Sequence, residues 1–187
     1  MATKNNLTIS TYNMHGFKNG VGFLWRKELS SRVKILKADI AGRCLALRLN
    51  ISSIKSLVMI VVYFPCYSNT NEYWNDLGFC LGFIVSILSS NTDEVIIFGD
   101  FNFPCMLSNA AFVRCMDTLK EYSVCECDEY ITGDKTYTYV NDPLGHKSLI
   151  DHIFMSKSLM VHILIRCMLW TTPATYQTTF LWFVNYR

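Results

Sequence analysis

Apolar and polar positions alternate along Leu7–Tyr12 (LTISTY), and this period of two predicts a strand. Val21–Leu29 (VGFLWRKEL) reads as a strand or strand-turn, whereas Ser30–Asp39 has no clean period. Another strand is expected within Ile40–Leu49. After the polar turn Ser52–Ser56, Leu57–Tyr63 (LVMIVVY) forms an unbroken apolar run, the pattern of a strand buried on both faces. The last two segments form a predicted hairpin. Trp74, Leu77, Leu81, Ile84 and Leu88 fall at helical spacing, with Gly78 and Gly82 either weakening that helix or letting it approach a sheet. A second buried strand, Val95–Phe98, follows at once. Ala110–Tyr122 reads as a helix with Phe112, Cys115, Met116 and Leu119 on one face. Tyr137–Val140 and Ile150–Met155 read as strands separated by the turn Asn141–Gly145. Helix followed by buried strand predicts a layered α/β fold.

The end of the chain has a different composition. From His152 to Arg187 there is no Asp or Glu, and Thr171–Thr179 is a run of Thr, Pro, Ala, Tyr and Gln. An irregular, divergent tail over residues 159–187 is expected, behind one domain over 1–158.

Composition narrows the picture. The 187 residues are 51% hydrophobic and 14% aromatic, which fits a globular domain with a sizeable core. A net charge of +2 argues neither for nucleic acid nor for a membrane surface. The polar start Met1–Asn6 leads into no signal-type apolar segment, so the eight cysteines are expected as reduced thiols of an intracellular protein, nuclear or cytoplasmic. Cys125-x-Cys127 lacks both the spacing and the second pair of a zinc knuckle. No apolar run reaches transmembrane length, so no membrane partner is expected.

Candidate chemistry gathers at strand ends. The buried run of Glu94–Asn102 (EVIIFGDFN) stops at Gly99 and delivers Asp100 and Asn102, which point the same way if the extended geometry persists. The alternative is a strand followed by an Asx-rich turn. Asn13 ends the first strand, Tyr63 a further buried strand, and Asp151-His152 sits on a late one. If these ends share one edge of a sandwich, the site holds carboxylates, amides, a phenol and an imidazole without a Ser or Cys nucleophile. Such an inventory suits metal-assisted attack of water on a phosphodiester.

STYNMHGF, VVYFPCYSN, IIFGDFN and TYTYVNDPLGHKSLIDHIFMS, in that order, resemble the endonuclease/exonuclease/phosphatase family, and more narrowly the apurinic-endonuclease-like domain of non-LTR (LINE-type) retrotransposons. The resemblance implies a two-sheet α/β sandwich flanked by helices in four layers, here partly truncated. It implies Mg²⁺ (or Mn²⁺) as cofactor, DNA as substrate and no stable protein partner. Asn13 would help place metal and phosphate, and Tyr63 and Ser148 would contact phosphate or substrate. Asp100 would hold metal and position the attacking water, with Asn102 as its phosphate-binding partner. Asp151 would orient the family's catalytic His. His152 alternates with Asp151 and is expected to point away as a structural residue.

Two departures stand out against that family. The segment carrying a metal-binding Glu, between Gly20 and Val21, is missing, and the nearest carboxylate is Glu28. The closing S-D-H motif is missing as well, since no acidic residue follows Asp151. The expectation is therefore a metal-dependent DNA endonuclease-like domain with impaired chemistry. The alternatives are an inactive nucleic-acid-binding remnant, or a phosphatase of the same fold acting on a small phosphorylated substrate.

Overall fold

The computed structural model describes residues 6–13, 20–128, 137–141, 146–160, 163–171 and 178–186. In chain order the strands are β1 (Asn6–Asn13), β2 (Val21–Leu24), β3 (Val33–Ala38), β4 (Cys44–Asn50), β5 (Ser56–Tyr63) and β6 (Glu94–Asp100). They continue with β7 (Val124–Glu126), β8 (Tyr139–Asn141), β9 (His146–Ser148), β10 (Asp151–Ser156), β11 (Ile163–Thr171) and β12 (Thr178–Tyr186). The helices are α1 (Asn71–Leu88), α2 (Ala110–Lys120) and the single turn α3 (Lys157–Met160), with a 3₁₀ segment over Lys27–Arg32.

The two unbroken apolar runs lie side by side. β5 and β6 pair in parallel at the centre of a six-stranded sheet of order β3-β4-β5-β6-β10-β7. A parallel pair needs a crossover, and α1 supplies it. Alternate residues sort cleanly onto two faces. Val58, Ile60, Val62, Val95, Ile97 and Phe154 pack under α1 and α2. Leu57, Met59, Val61, Ile96, Phe98, Ile153 and Met155 form a second core on the opposite face. Both helices carry side-chain caps at their starts. Thr70 accepts from the Tyr73 N–H at 3.2 Å, and Asn109 accepts from the Phe112 N–H at 3.0 Å.

The other sheet, of order β11-β12-β1-β2, meets the second core through β2. Phe23 of β2 meets Phe98 of β6 edge-on, with ring centroids 5.8 Å apart. The expected α/β two-sheet sandwich with helices is therefore present. Among the described residues, no helix is long and apolar enough to cross a membrane.

One local expectation changes, and two open readings are decided. The tail is not irregular over its described residues: β12 pairs with β1 from Asn6↔Asn185 to Tyr12↔Thr179, and β11 pairs with β12. Lack of acidic residues is no bar to strand formation. The apolar, aromatic and β-branched residues of these segments carry the β preference instead. β3 has no readable period because it is an edge strand, bulged between Ile35 and Lys37, with little of it buried. Its Lys34 and Lys37 protect that edge from further pairing. Gly82 does not serve close approach to a sheet: it is exposed, and a Cβ there would meet nothing within 4 Å. The predicted turn Asn141–Gly145 falls largely outside the described residues.

Candidate active site

Register brings three of the candidate residues into one row. Tyr63 lies opposite Asp100 in the parallel β5–β6 pair, and Asp100 lies opposite Asp151 in the antiparallel β6–β10 pair. Each has the parity of its strand's inter-sheet residues: Tyr63 with Val61, Asp100 with Phe98, Asp151 with Ile153. The row therefore sits at one end of the sandwich, facing the space between the sheets. The ladder runs on beyond it, the Phe64 N–H donating to Asp100 O and the Phe101 N–H to Ile150 O, each at 2.8 Å.

Gly99 makes this alignment possible. Its φ is +139°, and a Cβ there would lie 2.1 Å from the Val62 carbonyl oxygen. Only glycine tolerates this conformation and this approach. The Gly-Asp step is thus a close contact between the two central strands, one residue before the carboxylate.

The Asp100 and Asp151 carboxylates share a poorly hydrated corner. Burial pushes the Asp100 carboxyl up to about 6, against the opposing pull of the Asn102 backbone N–H and of His152. Asp151, 8% exposed, is raised further by burial and then by the Asp100 charge, with a hydrogen bond to the Thr138 hydroxyl opposing. The Thr138 Oγ also accepts from the Ile150 and Asp151 N–H groups at 3.0 and 3.2 Å, locking the β8-to-β10 approach. Two adjacent carboxylates of this kind retain a proton or attract a cation. Hard oxygen donors of this type suit Mg²⁺ or Mn²⁺.

A pH dependence follows. Both carboxyls bind protons more tightly folded than unfolded, so their contribution to stability is full below the unfolded value. It is lost as pH rises through about 6 for Asp100 and higher for Asp151. With divalent ions chelated, the melting temperature should fall between pH 4.5 and 7.5, and Asp151→Asn should flatten that fall. Thermal unfolding across this range checks it, and equal slopes in both proteins would contradict the assignment.

Asn102 sits otherwise than in the extended reading. Its φ is +54°, so the strand geometry ends at Asp100. Its N–H donates to Asp100 Oδ1 at 2.9 Å, an Asx-type turn, and its Nδ2 donates to the Phe64 carbonyl at 2.7 Å. The amide thus braces the loop after β5 against the loop after β6. Ser148 is half-buried on β9, opposite Tyr139.

Asn13 is placed by backbone alone. It pairs with Val21, whose N–H donates to Gly42 O at 2.9 Å, while the Tyr63 N–H donates to Arg43 O at 2.8 Å. The end of β1 therefore lies at the same end of the sandwich as Tyr63, Asp100 and Asp151. The Asn13 side chain is outside the described residues.

His152 points to the helix face, away from this row. It is fully buried among Phe101, Phe103 and Phe154. Its Nδ1 lies 2.6 Å from Asp128 Oδ2, and its Nε2 donates to the Phe103 carbonyl at 2.8 Å. Cys105, Asp128 and Thr138 escaped the sequence reading. They lie in loops or just outside short strands, and no periodicity marks them.

The sequence at the start of the chain is poor in carboxylates. β1, β2 and the residues between them hold no carboxylate, and Glu28 is exposed on the 3₁₀ segment. Residues 172–177, which join β11 to β12, contain neither an acidic residue nor a histidine.

Several solved structures share this architecture. The 3′ phosphatase NExo from Neisseria, bound to a product DNA hairpin, is 12% identical with a TM-score of 0.67, covering 96% of this chain and 79% of that one. The endonuclease domain of TRAS1, a telomere-specific non-LTR retrotransposon, is 10% identical with a TM-score of 0.66, covering 98% and 80%. AP endonuclease LMAP from Leishmania major is 11% identical with a TM-score of 0.71, covering 96% and 71%. At these identities the likeness establishes the shared fold. No curated protein sequence matches the chain. The sequence model of the Endonuclease/Exonuclease/phosphatase family matches residues 3–167, and the chain belongs to that family.

Proposed function

We propose that this chain carries a divalent-metal phosphodiester hydrolysis site of the DNA endonuclease type, of retroelement origin, in a form with impaired chemistry. The observation that supports the reading most is the register of Tyr63, Asp100 and Asp151 across three adjacent strands. Two of the similar structures are a 3′ phosphatase bound to product DNA and the endonuclease domain of a retrotransposon.

In this reading Asp100 and the Asn13 amide hold Mg²⁺ or Mn²⁺, as hard oxygen donors do. Such an ion supplies charge neutralisation at phosphoryl oxygens and a more acidic water. Asp100 accepts a hydrogen bond from the attacking water and orients it. Tyr63 and Asn102 donate to phosphate oxygens, Asn102 through the Nδ2 hydrogen not used on Phe64. Ser148 lies on the substrate side. Asp151 fixes the local field and, in the complete family site, would orient the catalytic imidazole. Residues 1–158 carry this apparatus, and 159–187 complete the smaller sheet without adding a catalytic group.

Absence of a carboxylate before Glu28 and after Asp151 favours a second reading, an inactive nucleic-acid-binding remnant. Prolonged incubation with supercoiled plasmid and Mg²⁺ or Mn²⁺ separates the two. Slow nicking that disappears with Asp100→Ala supports a residual active site. Nicking no faster than that variant, with retained DNA binding, supports the remnant.

A further inference from the structure

A separate cluster of ligand-type side chains sits on the helix face of the large sheet. Cys105, Asp128 and His152 bring a thiol sulfur, a carboxylate oxygen and a ring nitrogen within 4.8 Å of one another. They come from the loop after β6, the chain just past β7, and β10. His152 Nδ1 is 2.6 Å from Asp128 Oδ2 and 3.2 Å from Cys105 Sγ, and Sγ and Oδ2 are 3.9 Å apart. Tetrahedral zinc holds N, O and S donors about 3.3–3.5 Å from one another, given its usual bond lengths. The Sγ–Nδ1 separation is close to this already, whereas the Nδ1–Oδ2 contact is shorter and the Sγ–Oδ2 separation longer, so the Asp128 carboxylate would have to shift on binding.

The imidazole is already held in one orientation. A carbonyl only accepts, so the 2.8 Å contact with Phe103 O requires the hydrogen on Nε2. Nδ1 then faces the carboxylate and the thiol. A ring N–H anchored on a backbone carbonyl is how metal-bound histidines are commonly oriented. The surrounding Phe101, Phe103 and Phe154 rings leave it no room to swing. Asp128 and Cys105 are only partly buried, so an ion has an approach from solvent. Glu126 lies beside the cluster, its Oε1 accepting from the Asp128 N–H at 2.6 Å. Sulfur and nitrogen donors favour Zn²⁺ over the Mg²⁺ suited to the all-oxygen site.

We propose that Cys105, Asp128 and His152 form a zinc-binding site, on the opposite sheet face from Tyr63, Asp100 and Asp151. The ion would tie the loop after β6, which carries Asn102, to β7 and β10. On binding, the proton held between His152 Nδ1 and Asp128 Oδ2 and the Cys105 thiol proton both pass to solvent, and the freed nitrogen, carboxylate oxygen and sulfur bond the metal. The site is structural, and it does not depend on whether the chain cleaves DNA.

The full chain, stripped of metal, is titrated with Co²⁺ as a spectroscopic probe and then with Zn²⁺. One equivalent of Co²⁺ should give a thiolate-to-cobalt charge-transfer band that Zn²⁺ abolishes and Mg²⁺ leaves unchanged. Cys105→Ser should remove the band and weaken Zn²⁺ binding by at least about 100-fold, more than an outer-shell change would. Cys66→Ser, at an exposed cysteine on a neighbouring loop, should keep it. Alkylation of the wild-type chain followed by mass analysis needs no variant: Zn²⁺ should slow modification of Cys105 at least tenfold. A missing band, a band that survives Cys105→Ser, or zinc-independent alkylation would overturn the site and leave a simple Asp128–His152 ion pair beside a thiol.

Discussion

Gly99→Ala should destabilise the chain by about 6 kcal/mol or more, enough to unfold a marginal domain at 25 °C. The added Cβ would lie 2.1 Å from the Val62 oxygen, 3.0 Å from its nitrogen and 3.1 Å from its carbonyl carbon, all backbone atoms. No side chain can rotate aside to relieve the overlap. The strands themselves would have to part, and β5 and β6 are held by β4 on one side and β10 on the other. Overpacking of a well-filled core costs about 1–3 kcal/mol, and backbone strain at an unfavourable φ about 1–3 more. Contact with immovable backbone puts this case at or above the upper end. The sum, about 6 kcal/mol at that end, reaches the lower part of the 5–15 kcal/mol that holds a typical domain together. Gly82→Ala is the matched control, since it fills open space on an exposed helix face and should stabilise by about 0.5–1 kcal/mol. Urea unfolding followed by circular dichroism reads both. A Gly99→Ala midpoint close to wild type would mean that the Val62 approach is misplaced.

The same contact shows which features a sequence discloses. β5 and β6 were legible because both of their faces are buried, so nothing polar interrupts LVMIVV or VIIF. α1 was legible because one face is core and the other is water, although Tyr73, not Trp74, is the buried residue of its first turn. β3 was not, because an edge strand with little burial has no reason to alternate. β11 and β12 were not, because a lack of acidic residues marks a change of composition but does not decide strand formation.

At the site, the strand-end positions of Asn13, Tyr63, Asp100 and Asp151 could be read locally. Their shared row could not, because register between β5, β6 and β10 is a non-local property of sheet pairing. The left-handed Asn102 was half visible: Gly-Asp-Phe-Asn allowed both an extended continuation and an Asx turn, and the carbonyl of Phe64 decides between them. Cys105 and Asp128 were beyond reach, because loops carry no period and their partner His152 lies far along the chain.

DNA cleavage by the unmodified chain should be about 10²–10⁴-fold slower than by a repaired one. A single acid–base or electrostatic group is commonly worth that factor. Mg²⁺ favours one or two carboxylates in near-octahedral geometry, and Asp100 has no acidic partner from β1 or β2. The other absent group has a place in the fold. β12 begins at Thr178, and Thr179 pairs with Tyr12, next to Asn13. β12 therefore starts at the end of the sandwich where Asn13, Tyr63, Asp100 and Asp151 gather, and the sequence that precedes it, 172–177, offers only Thr, Pro, Ala, Tyr and Gln. A Ser-Asp-His sequence placed there would bring an imidazole to the site end while leaving the β12 pairing intact. A Glu-bearing segment inserted after Gly20 would bring a carboxylate to the start of β2, beside Asn13. Groups that act as a unit are not additive, so either repair alone should recover less than half of the logarithmic gain of both together. Initial rates of supercoiled-plasmid nicking in Mg²⁺, each paired with its Asp100→Ala version, decide the matter. An unmodified chain as fast as the doubly repaired one, and equally sensitive to Asp100→Ala, would show that its site is already complete.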